Sequence, residues 1–292
     1  MAQPFGRLIT AMVTPFTPEG ALDLDQARRL AAYLVDEQRN DALVINGTTG
    51  ESPTTSDAEK LALLQAVKSE VGDRAQILAG IGTNETAATI ARGRDAVTAA
   101  ADGLLVVTPY YSKPPVDALV EHFTMVADAC ELPVMLYDIP GRSAIPIPEG
   151  ALIQLGDHPL IVAVKDAKGD VVSSAKVMAA TDLAYYSGDD AMTLPLLAVG
   201  GTGVVGTSTH FTGSLTKEWL DQYYSGDVEG AIARYRHLLP VYTGVFATQG
   251  CMLVKAGLSA RGFGPASLRR PLKAASATEA EAFLALLAAA GL

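Results

Sequence analysis

A (β/α)8 barrel with a helical C-terminal extension is the fold this sequence predicts. Three observations predict it. Short apolar runs alternate with helix-patterned segments along most of the chain, eight such runs can be counted, and the 292 residues suit one large α/β barrel. Strict alternation demands a parallel sheet with crossover helices, and eight units close naturally on themselves. A doubly wound open sheet is the alternative that the pattern leaves.

The first run, Leu8 to Met12, reads as a buried strand, and Asp23 ahead of Leu24-Asp25-Gln26-Ala27 is placed to cap the helix that follows. Ala42 to Ile45 is the second run, and Ser56-Asp57-Ala58-Glu59 forms a capping box before Leu61 and Leu64. Further strands are expected at Gln76 to Ile81, Gly103 to Thr108, Pro133 to Ile139, Ile161 to Asp166, Ala184 to Ser187 and Gly203 to Val205. From about Leu215 the pattern is helical only, with turn signals at Ser225-Gly226-Asp227, at Gly262 to Pro265 and at Pro271. These signals divide the chain into a catalytic barrel over 1–225 and a helical extension over 226–292. The Ala-rich end from Glu279 to Leu292 lacks Lys and Arg, which suits a docked terminal helix rather than one lying on a membrane.

Composition narrows the partner. A hydrophobic content of 49% with 18% charged residues is globular, and a formal charge of −10 argues against nucleic acid or an anionic membrane. A small molecule is expected instead. Cys130 and Cys251 belong to no C-x-x-C pair, so neither a disulfide framework nor a zinc site is indicated, and a reducing cytoplasm fits. No signal-peptide pattern and no 18-residue apolar run occur.

Barrel enzymes place their chemistry at the carboxyl ends of strands and in the loops that follow. Lys165 interrupts the run Ile161-Val162-Ala163-Val164 at such an end. Burial disfavours an ammonium, so a lysine held there can be a neutral nucleophile near pH 7, as a Schiff-base lysine must be. A lysine that snorkels outward or pairs with a carboxylate is the plainer reading. After strand two, Asn46-Gly47-Thr48-Thr49-Gly50-Glu51-Ser52 can turn tightly and offer successive N–H groups to an anion such as a carboxylate. After strand four, Thr108-Pro109-Tyr110-Tyr111-Ser112-Lys113-Pro114-Pro115 is a stiff loop bearing two phenols, suited to proton relay or subunit contact. Strand five ends in Tyr137-Asp138-Ile139-Pro140-Gly141-Arg142, giving a third phenol and a guanidinium able to grip a carboxylate, or to form a surface ion pair. Tyr137 and Lys165 end successive strands and could face the same mouth.

Two further patterns compete for attention. Gly201-Thr202-Gly203-Val204-Val205-Gly206 matches G-x-G-x-x-G, but its valines look like a strand and not like the turn after one. Gly206-Thr207-Ser208-Thr209-His210 is close to a nucleophile elbow without its closing glycine. A phosphate site built from the Gly188 and Gly206 loops is a rival location for ligand. The four histidines have no metal-ligand spacing.

With Gly47-Thr48-Thr49-Gly50-Glu51-Ser52, Val107-Thr108-Pro109-Tyr110-Tyr111, Tyr137-Asp138-Ile139-Pro140-Gly141-Arg142 and Val164-Lys165-Asp166 in order, the sequence closely resembles the dihydrodipicolinate synthase family. The wording Tyr110-Tyr111-Ser112-Lys113-Pro114-Pro115 is similar to its actinobacterial branch. N-acetylneuraminate lyase and the 2-keto-3-deoxy sugar acid aldolases share the barrel and the lysine, but the double threonine and the Pro-Gly-Arg segment favour the synthase. The resemblance implies that Lys165 forms an imine with pyruvate, that Thr48 and Thr49 hold the pyruvate carboxylate, and that Tyr137, Thr48 and Tyr111 relay protons. Tyr111 would be lent across a subunit interface, Arg142 would bind L-aspartate 4-semialdehyde, and Val205 would be a substrate-binding position at the end of strand eight. It also implies diaminopimelate and lysine biosynthesis, a homotetramer built as a dimer of dimers, and no metal or organic cofactor.

The sequence departs from that pattern in two places. Lysine-inhibited members carry histidines after the Gly-Thr-Thr-Gly-Glu-Ser segment and an acid four places beyond Asn84. Asp57, Lys60 and Ala88 stand there instead, while Ser52, Asn84 and Tyr110 remain. Loss of the acid removes a charged partner for a lysine ammonium, so feedback by lysine is expected to be weak or absent, and strong inhibition at sub-millimolar lysine would contradict this. Val205-Gly206-Thr207-Ser208 also differs from the usual Ile-Ser-Val type.

Overall fold

The computed structural model describes residues 3–292. Its strands are β1 (Leu8–Ala11), β2 (Ala42–Ile45), β3 (Gln76–Gly80), β4 (Gly103–Val107), β5 (Val134–Asp138), β6 (Ile161–Asp166), β7 (Ala184–Ser187) and β8 (Gly203–Gly206). Each lies within a residue or so of its expected span. Neighbours pair in parallel and β8 returns to β1, so the sheet closes and the open-sheet alternative falls.

Around the barrel run α1 (Leu24–Asp36), α2 (Asp57–Val71), α3 (Thr86–Thr98), α4 (Val116–Cys130), the single turn α5 (Pro140–Ser143), α6 (Glu149–Gly156), α7 (Val171–Ala180), α8 (Thr193–Ala198) and α9 (Thr209–Ser225). The extension consists of α10 (Val228–Gly244), α11 (Gly250–Ala260) and α12 (Ala277–Ala289). Local chemistry sets the helix starts. The Asp23 carboxylate accepts the Gln26 N–H, and Ser56 and Glu59 satisfy each other's backbone donors. Caps of this kind contribute about 0.5–2 kcal/mol each.

One boundary is corrected. Helix resumes at Thr209 and not near Leu215, and α9 is the eighth helix of the barrel, packed against β1. Its polar opening concealed it. The buried Asp190 carboxylate accepts the N–H groups of Thr207 and Ser208, and these donors just ahead of the helix therefore need no water.

The core has two layers separated by the sheet. Ile9, Val44, Leu78, Met135 and Val205 fill the barrel interior, while residues such as Leu34, Phe123 and Trp219 pack between sheet and helices. Burying each such large apolar side chain contributes about 1.5–3 kcal/mol. Phe5 closes the end of the barrel where the strands begin, and a Cβ on Gly103 would come within 2.7 Å of its ring. Among the described residues, no helix is long and apolar enough to cross a membrane.

Register decides what reaches the interior. Tyr137 pairs with Lys165, and Lys165 with Tyr186, so the three share the inward face. Their successors Asp138, Asp166 and Ser187 must then face the helices.

Candidate active site

Strand alternation separates Lys165 from its neighbour in sequence. Asp166 is turned outward, where it accepts the N–H groups of Lys168 at 2.8 Å and Gly169 at 3.3 Å and the Ser174 hydroxyl. It is unavailable to Lys165. The Lys165 side chain is only 5% exposed, and its Nζ lies 4.2 Å from the centroid of the Tyr137 ring. Among the described residues the buried carboxylates at ion-pair distance from a lysine are Asp138 and Glu51, paired with Lys168 and Lys255. Burial pulls the Lys165 amine down to about 8, with the Asp190 carboxylate opposing and the Arg142 guanidinium adding to the depression. Space for this side chain depends on Gly188, since a Cβ there would sit 3.1 Å from Lys165 Cε.

Tyr137 is the second buried titratable group of the interior. Its phenol is pushed up to about 12 by burial, against the Arg142 charge and the Thr48 side chain. A phenol so held stays protonated and can both give and take a proton without carrying charge at rest.

The loop after β2 brings the threonines to this mouth. Thr14 donates its hydroxyl to the Gly50 carbonyl at 2.6 Å, and the Gly50 N–H returns to the Gly47 carbonyl at 3.1 Å. Thr49 Oγ1 lies 3.4 Å from Thr207 Oγ1, which ties the loop to the end of β8. Thr48, Tyr137 and Arg142 line one cavity of about 380 Å³, which suits a small substrate. Arg142, on α5, donates from Nη2 to Gln249 Oε1 at 3.0 Å, holding its guanidinium over that opening.

Not every expected residue lines this cavity: Lys165 meets it through the Tyr137 ring, and Thr49 lies beside Thr207. Val205 is buried in the barrel interior, and Tyr111 projects outward, 89% exposed at a φ of 72°. A tyrosine in the left-handed region is an uncommon conformation, and one carrying so exposed a ring has nothing in its own chain to rest on.

Asp190 was missed by sequence reasoning. It is 2% exposed, its carboxyl is raised by burial, and its charge favours the ammonium form of Lys165. Its position just after Gly188, in the loop following β7, was the available signal. Asp190 also removes the phosphate rival, because it already occupies the Thr207 and Ser208 N–H groups that an anion would need. It takes the Ser208 hydroxyl as well, at 2.6 Å, and that serine is buried, so the elbow-like segment presents no nucleophile. The glycine-rich match over Gly201 to Gly206 is largely β8 itself, as its valines indicate.

The cavity has a cationic wing. Lys60 is buried there, donating to the Thr55 carbonyl and lying 3.8 Å from Asp57 Oδ1, while Arg92 Nε binds the same oxygen at 2.8 Å. A further ammonium entering this wing would find the Asp57 carboxylate already shared by two cations.

Comparison with known proteins identifies the family. A family model described as the dihydrodipicolinate synthetase family matches residues 4–290. The chain is 58% identical over 286 residues to the 4-hydroxy-tetrahydrodipicolinate synthase of Cutibacterium acnes, spanning 98% of each. Among solved structures, that of the synthase from Cyanidioschyzon merolae with lysine bound is 38% identical at a TM-score of 0.96, covering 100% of both chains. The chloride-inhibited synthase from Acinetobacter baumannii complexed with pyruvate is 29% identical at a TM-score of 0.94, covering 98% of this chain and 99% of the other. With a closed barrel, a buried lysine ending β6 and a match along nearly its whole length, the chain belongs to the dihydrodipicolinate synthetase family.

Proposed function

We propose that this chain condenses pyruvate with L-aspartate 4-semialdehyde through a Schiff base on Lys165, the activity of a 4-hydroxy-tetrahydrodipicolinate synthase in diaminopimelate and lysine biosynthesis. The observation that carries the reading is the Lys165 amine, buried over Tyr137 with its own neighbouring carboxylate turned away. The neutral amine attacks the pyruvate ketone, and loss of water gives an imine that acts as an electron sink. Thr48 and Thr49 hold the pyruvate carboxylate. Tyr137, Thr48 and Tyr111 carry the protons, first to the departing hydroxyl and then from the methyl carbon as the enamine forms. The enamine attacks the aldehyde of the second substrate, whose carboxylate Arg142 binds, while Val205, buried at the end of β8, supports the floor beneath. Attack by the substrate's own amine then releases the ring and restores Lys165.

Borohydride reduction in the presence of pyruvate tests the assignment. A stable mass increment on Lys165 is expected, and none in Lys165→Ala; an increment on another residue would sink it.

The role of Tyr111 requires a second subunit, and a homotetramer made of two dimers is part of the proposal. Its support is the exposed, left-handed tyrosine at the rim. Sedimentation is expected to show an assembled enzyme, and a fully active monomer would remove that role. A reducing cytoplasmic setting suits the two free, buried cysteines, and fractionation to an oxidising compartment would contradict it.

A further inference from the structure

The loop that carries Thr48 and Thr49 is held from the far end of the chain. Glu51 follows those threonines at a φ of 55°, and its carboxylate is 1% exposed. Lys255 of α11, 4% exposed, places Nζ 2.5 Å from Glu51 Oε1 and 2.7 Å from the Ser267 carbonyl. The other carboxylate oxygen accepts the Arg269 backbone N–H at 3.0 Å. Arg269 then spreads its guanidinium over the same loop and the helix after it, donating to the Thr54 carbonyl at 2.9 Å and to both oxygens of Glu59, at 2.6 and 2.9 Å. Phe16 is packed by both cations, with Lys255 Nζ 4.3 Å and Arg269 Cζ 4.2 Å from its ring centroid.

We infer that Glu51, Lys255 and Arg269 form a clamp by which the C-terminal extension positions the Thr48-Thr49 loop for binding the first, carboxylate-bearing substrate. The inference deepens the reading above and rests on it. The physical reason is that Glu51 cannot remain buried without the Lys255 ammonium, because an unpaired buried carboxylate must find water, while the Arg269 side chain pins the same loop through the Thr54 carbonyl and Glu59. Reaching water from a left-handed residue requires the loop to move, and the threonine donors move with it. Residues beyond the barrel would thus tune the affinity for one substrate and leave the other alone. None of the three lines the cavity, so all are positioning residues.

Kinetics of the full-length enzyme separate this role from general stability. In Lys255→Met the KM for pyruvate should rise about tenfold or more, the loss expected when donors to a charged group are misplaced. The KM for the aldehyde substrate should stay within about twofold, and Lys255→Arg, which keeps a charged donor, should restore most of the pyruvate affinity. An unchanged pyruvate KM, or equal damage to both substrates without rescue by arginine, overturns the clamp. Should Lys255→Met fail to fold, Arg269→Ala decides from the more exposed side: the pyruvate KM alone should rise about threefold or more, and no change overturns the inference. Borohydride trapping on Lys165 is run beside each variant. Absence of trapping in the unmodified enzyme defeats the functional reading, whereas normal trapping with an unmoved half-saturating pyruvate concentration in the variants defeats only the clamp.

Discussion

Lys165 and Lys255 are buried almost equally, 5% and 4% exposed, and desolvation lowers the pKa of both. Their surroundings then diverge. Lys255 meets the Glu51 carboxylate at 2.5 Å and a backbone carbonyl, whereas Lys165 rests on the Tyr137 ring with Asp190 acting on it only through its field. Burial by itself therefore does not make a lysine nucleophilic. What sets Lys165 apart, and suits it to the proposed nucleophilic role, is that its amine faces the Tyr137 ring where Lys255 is held by a carboxylate and a carbonyl.

Exchange of each lysine for methionine gives the sharpest contrast. Lys255→Met strands a buried carboxylate and should cost about 3–5 kcal/mol of stability. Lys165→Met removes a buried cation without a close anionic partner, so turnover should vanish while stability holds or rises. Urea midpoints measure both, and equal losses would break the comparison.

Next in size is the phenol. In Tyr137→Phe the imine on Lys165 should still form, but turnover should fall at least about a hundredfold, the low end of acid–base assistance. Unimpaired turnover would remove Tyr137 from the relay.

The smallest effect sharpens the comparison through pH. With the Lys165 amine near pKa 8, the trapping rate should rise about tenfold per pH unit below that value and flatten above it. The sign for stability is the same. Between about 8 and the ordinary value of 10.5 the unfolded chain binds more protons at Lys165, so the burden this residue places on folding lifts as pH rises. A trapping rate that fell with pH across this range would show that the amine is not the nucleophile in its neutral form.

Strands and caps were legible because their causes are local. The apolar run ending in Lys165, the Asp23 cap and the Ser56–Glu59 box each declare themselves within a few residues, and β1 to β8 lie close to where those runs stand. The start of α9 was not legible, since Thr207-Ser208-Thr209 reads as a loop until the remote Asp190 supplies its acceptors.

By itself, then, the sequence determined a barrel rhythm, an acidic chain, and a lysine at the end of the sixth strand with phenols and threonines at other strand ends. Tertiary structure decided that Asp166 turns away from Lys165, that the Asp190 charge acts on it instead, and that Glu51 is answered by Lys255, 204 positions later. The physical reason is range. Propensity, periodicity and capping act over a turn or a strand, while burial and charge pairing act through space between segments that only the closed barrel brings together.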